Sequence, residues 1–75
     1  MGLSMKTTDE LIGLAKAGAG CVLDAGRRNT DELIRIVAAA RKSGSTIILR
    51  KVALRKTEAL TRIAEAGKGH VIFES

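Results

Sequence analysis

The sequence predicts an α/β fold: three tandem αβ repeats forming a small three-stranded parallel sheet packed by three helices. Three observations lead there. The chain repeats itself, with "TDELI" at 8–12 and again at 30–34, an offset of 22. Sliding residues 8–23 by 49 positions sets Thr8, Leu11, Ala15, Ala17, Gly18, Gly20 and Val22 on Thr57, Leu60, Ala64, Ala66, Gly67, Gly69 and Val71, seven identities in sixteen. In each copy apolar residues first recur at helical spacing and then crowd into a short β-branched run. Helices alternating with strands through short links imply parallel strands joined by right-handed crossovers.

Each unit opens on a threonine followed by a carboxylate: Thr8-Asp9, Thr30-Asp31 and Thr57-Glu58. That is the pattern of a helix N-cap with negative charge in the first turn. The apolar stripes are Leu11, Leu14, Ala15, Gly18, then Leu33, Ile36, Val37, Ala40, then Leu60, Ile63, Ala64, Gly67. Their last place is always Ala or Gly, which lets the helix end lie close against the sheet. The strands are read as "CVLD", "TIILRKV" and "HVIFE", the second copy carrying two or three extra residues before its strand. Two strand orders satisfy this pattern. Order 1-2-3 puts every helix on one face, and order 2-1-3 divides the helices between faces. The rhythm is similar to that of helical leucine-rich repeats, but the strands lack Leu-x-Leu followed by Asn, and no family is assigned.

Seventy-five residues make one small domain, expected over 7–75, with 1–6 an N-terminal segment that is disordered or in part an expression scar. With no Pro or Trp and one Phe, the core falls to Ala and the 19 Leu, Ile and Val residues. The single Cys21 excludes an internal disulfide and suits a reducing cytoplasm. No apolar run has the length of a signal peptide or a membrane span. The formal charge of +5 leans weakly toward acidic partners.

Glycines draw attention at "AGAG" and "AGKG", but there the order is helix, glycine, strand. Phosphate loops run strand, glycine, helix, because the anion sits on the free N–H groups of a helix N-terminus. The glycines are therefore read as helix C-caps. The phosphate order occurs at "LDAGRRNT", where Gly26, Arg27 and Arg28 lead into the second helix. Lys51, Arg55 and Lys56 belong to the next βα link, which a parallel sheet puts on the same edge, and ligands of open α/β sheets bind at that edge. These six residues are the candidate anion site, for a phosphate or a nucleic acid. The near absence of aromatics removes base-stacking platforms.

Cys21 and His70 match at the offset of 49, and order 2-1-3 sets them side by side as a nucleophile and base. No third residue orients them, one Cys and one His fall short of a zinc site, and the expectation is no catalytic residue, no metal and no cofactor. The strands carry consecutive apolar residues, so both sheet faces ask for cover. Order 1-2-3 leaves one face bare, and a second copy or a protein partner is expected to cover it through Ile47, Leu49, Val71 and Phe73. The function expected is a cytoplasmic, non-enzymatic repeat module that self-associates in protein–protein assembly, with polyanion binding as the alternative.

Overall fold

In the computed structural model, which describes residues 6–53 and 55–74, the element order is α1 (Thr8–Lys16), β1 (Cys21–Asp24), α2 (Thr30–Ser43), β2 (Ile47–Arg50), α3 (Thr57–Gly67) and β3 (Val71–Glu74). The strands form one parallel sheet in the order β1-β2-β3. All three helices lie on one face, which decides between the two orders.

The repeat threonines are each the first helical residue rather than the cap. Thr7 and Asn29 cap α1 and α2, accepting from the amides of Glu10 (3.1 Å) and Glu32 (2.8 Å), whose carboxylates accept from the cap amides in return. Two capping boxes result. Lys56 precedes α3 and makes no side-chain cap bond. Moving the cap back by one residue leaves the threonine hydroxyls free for other partners. At the other end of α2, Gly44 closes the helix in the left-handed conformation, φ 81°, where a side chain is disfavoured. Gly67 answers a different need: a Cβ there would stand 2.8 Å from Val71 Cγ1, so the helix end does lie against the strand.

The core forms between sheet and helices. Leu11, Leu23, Leu33, Ile36, Val37, Ile47, Leu49 and Ile63 are its fully buried large side chains, each contributing about 2 kcal/mol by apolar burial. The central helix α2 supplies three of them because neighbours flank it on both sides. Leu14 of the outer helix α1, by contrast, is 38% exposed although it shares a repeat position with Ile36 and Ile63. Ser45 and Ser43 close the lower end: both hydroxyls donate to the Ala15 carbonyl, the former at 3.1 Å, satisfying an acceptor at the end of α1.

The spacing from helix start to strand start differs between units: 13 positions from Thr8 to Cys21, 17 from Thr30 to Ile47 and 14 from Thr57 to Val71. The second unit is thus longer than the first by four residues, where two or three were expected. The third is longer by one, and that single residue shifts the strand frame: Cys21 aligns through Ile47 with Val71, and Val22 through Ile48 with Ile72. Side chains alternate between faces along a strand. Cys21, Leu23, Ile47, Leu49, Val71 and Phe73 therefore point to the helices, and Val22, Ile48 and Ile72 point away.

Candidate functional site

Parallel strands bring both βα links to one edge of the sheet, so the six basic-site residues do lie on a common side. Their donors are largely committed within the fold. The Gly26 amide donates to Asp24 Oδ1 at 2.9 Å, closing a turn in which an acidic side chain holds the place a phosphate oxygen would take. Lys51 Nζ lies 3.6 Å from Asp24 Oδ2, and with the lysine exposed the pair adds little energy. Arg27 and Lys56 are exposed. Around the start of α3 a shallow hollow of about 360 Å³ is lined by Thr30, Arg55, Lys56, Glu58, Ala59 and Arg62, so a carboxylate sits among its cations.

The two remaining arginines hold the repeats together. Arg28 donates through Nη1 to Thr8 Oγ1 at 2.9 Å and through Nη2 to the Lys6 carbonyl at 2.5 Å. Arg55 repeats the pattern one unit later, to Thr30 Oγ1 at 3.0 Å and to the Arg28 carbonyl, and adds the Ala25 carbonyl. In each case the residue two places before a helix reaches the first threonine of the preceding helix and the carbonyl of its own counterpart one unit back. Thr8 in turn donates to Glu32 Oε2 at 2.8 Å. A second pair recurs on the helix surfaces: Arg35 meets Asp9 at 3.2 Å, and Arg62 meets Asp31 at 3.7 Å. Arg28 and Arg55, expected as ligand groups, thus serve as latches between neighbouring units. The signal was present in the sequence, since Lys6, Arg28 and Arg55 all stand two residues before a repeat threonine. The reason to look there appears only once the threonine is known to leave its hydroxyl free.

The carboxylates of Glu10 and Glu32 titrate below the ordinary glutamate range, chiefly because each accepts a backbone hydrogen bond at its capping box. The Cys21 thiol is pushed up by burial, with Arg28 pulling modestly the other way. A raised thiol is a poorer nucleophile at neutral pH. The pairing of Cys21 with His70 does not form. β2 separates their strands, which sets them on opposite sides of the sheet about 10 Å apart by strand spacing. The extra residue before β3 also puts them on opposite faces, and His70 Nδ1 lies 2.9 Å from the Ser45 carbonyl. Among the described residues no group of three or more His, Cys, Asp or Glu side chains gathers in a way that could hold a metal ion.

The expected contact residues Ile47, Leu49, Val71 and Phe73 lie on the helix-covered face, Ile47 and Leu49 with no exposure at all. The four do share one face, with Ile47 opposite Val71 and Leu49 opposite Phe73, but it is the face the helices cover, since alternate residues of a strand point to opposite sides. The open face instead carries Val22 (44% exposed), Ile48 and Ile72 (48% exposed), in register as a row across the three strands. Beside it runs a charged row, Asp24, Arg50 and Glu74, with Arg50 Nε 3.5 Å from Glu74 Oε1. Among the described residues the outer edges of β1 and β3 carry no strand partner. Among the described residues no helix is long and apolar enough to cross a membrane. No protein-family profile, curated protein or solved structure matches this chain.

Proposed function

We propose that this chain is a non-enzymatic αβ-repeat module that self-associates and serves protein–protein assembly. The observation that carries the reading is the uncovered side of the sheet: an in-register apolar row, Val22–Ile48–Ile72, between two unpaired strand edges. Unpaired edges invite further strands, and parallel sheets are normally covered on both faces. Repeat folds use such open sheet surfaces for binding. The missing catalytic constellation and the raised Cys21 thiol point the same way.

The uncovered face measures about 200 Å², taking four residues per strand at ~3.3 Å and three strands at ~4.8 Å. A stable complex needs about 800 Å² per partner. The face alone is too small, so association must draw on the edges and the flanking helix surfaces. Sedimentation velocity over a wide concentration range tests the reading: mass should rise with concentration, and a monomer persisting at high micromolar concentration refutes it.

Polyanion binding remains the second reading, supported by Arg27, Lys51 and Lys56 on one edge. The commitment of Arg28 and Arg55 to neighbouring carbonyls and hydroxyls weakens it. Affinity for DNA or RNA that falls steeply with salt would favour it, and no binding at low salt would end it.

A further inference from the structure

The two junctions inside the chain share an arginine latch and an arginine–aspartate pair, and those contacts are left half-made at each end. We infer that a second copy docks head to tail, its β1 edge and α1 continuing the sheet and helix layer beyond β3 and α3. The inference rests on the self-association reading and names its surfaces.

At the trailing end, the acceptors that earlier units offer to the next unit are present without donors among the described residues. Thr57 Oγ1 corresponds to Thr8 and Thr30, the Arg55 carbonyl to those of Lys6 and Arg28, and the exposed Glu58 carboxylate to Asp9 and Asp31. At the leading end, the positions that face backward in later units are turned to solvent. Lys6 stands where Arg28 and Arg55 do, Glu10 where Glu32 accepts from Thr8, and Leu14 where Ile36 and Ile63 are buried. A shallow hollow of about 340 Å³ lined by Lys6, Glu10, Gly13 and Leu14 marks the surface that Arg35 and Ile36 fill against α1 in the next unit.

Placed in the internal register, Lys6 of the incoming copy reaches Thr57 Oγ1 and the Arg55 carbonyl, and its Glu10 accepts from Thr57. Leu14 is covered by α3, and four more residues of strand pair. Two features hold the contact below the strength of the internal junctions. Gly13 replaces the arginine that would meet Glu58, and Glu74 comes opposite Asp24 of the incoming copy, a like-charge pair. A head-to-tail contact lacks two-fold closure, so copies add in series rather than stopping at two.

The double variant Lys6→Arg, Gly13→Arg restores both missing guanidinium groups. A side chain at Gly13 meets nothing within 4 Å, and both sites lie on the surface, so folding is spared. Sedimentation velocity should show association tightened roughly tenfold, with species beyond the dimer. Adding Glu58→Arg should abolish the gain, and Val22→Thr, Ile72→Thr should leave it in place. A double variant that associates no more tightly than the parent, or that stops at a closed dimer, overturns the inference. Association lost with the Val22 and Ile72 substitutions but kept with Glu58→Arg overturns it too, while leaving self-association itself standing. A parent chain that stays monomeric throughout sinks both.

Discussion

Arg55→Ala is the most exposing test of the latch. The guanidinium makes three hydrogen bonds, to Thr30 Oγ1, the Ala25 carbonyl and the Arg28 carbonyl, in a half-buried position. Hydrogen bonds to a charged group contribute about 1.5 kcal/mol each at the low end of their range, or about 4.5 kcal/mol for three. Its Nε is buried and finds no acceptor among the described residues, which subtracts about 1–2 kcal/mol. The net loss expected is about 3 kcal/mol, against a total stability of about 5–15 kcal/mol for small domains. In a domain of this size that lowers Tm by about 12–24 °C. Urea denaturation followed by circular dichroism reads it. Arg27→Ala, one residue before the other latch and exposed, should stay within about 0.5 kcal/mol of the parent. A loss below about 1 kcal/mol for Arg55→Ala, or equal losses at the two sites, would show that the contacts are surface decoration.

Other expectations follow from the same structure. Ile36→Ala should cost about 2–5 kcal/mol in chemical denaturation, while Leu14→Ala, at the same repeat position but exposed, should cost under about 1 kcal/mol. Gly67→Ala, ordinarily favourable in a helix, should destabilise by about 1–3 kcal/mol because the new Cβ meets Val71 Cγ1 at 2.8 Å, and adding Val71→Ala should recover part of the loss. Glu10 and Glu32 titrate low, so the stability they bring is present above the ordinary glutamate range and lost as pH falls through their folded values. A urea midpoint that drops between neutral and acid pH, with a shallower drop in Glu32→Gln, checks this; identical profiles would contradict it. Cys21 titrates high, so alkylation at neutral pH should run slower than for an unfolded-chain thiol and speed up on denaturation.

The helices and strands were legible because each unit repeats its apolar spacing. The interiors of Leu33–Ala40 and Ile47–Arg50 sit where the pattern puts them, and the parallel sheet follows from the αβ alternation. What escaped was everything that depends on a single residue. The match at offset 49 equates Cys21 with His70, whereas the strand register sets Cys21 level with Val71 through Ile47, and the choice of Ile47 and Leu49 over Ile48 for the open face turned on which side of the sheet the helices cover. Identity of letters says nothing of the longer α3, which with a shorter link delays β3 by one residue. The same one-residue question decided the caps: Thr8 was read as a cap, whereas Thr7 does that work and Thr8 is released to Arg28 and Glu32. The latches left a trace in the spacing of Lys6, Arg28 and Arg55 before each repeat threonine, but a basic residue in a βα link looks alike whether it waits for a ligand or grips the neighbouring loop.

The in-register row of Val22, Ile48 and Ile72 has a further effect once copies add in series. Every added chain lengthens one continuous greasy ribbon by about 200 Å², flanked on one side by the charged row. A lone chain offers a flat target too little to grip, and about four in a line reach the size of an ordinary interface. Capture of a partner would then switch on with polymer length, so that concentration, rather than any change of shape, acts as the control.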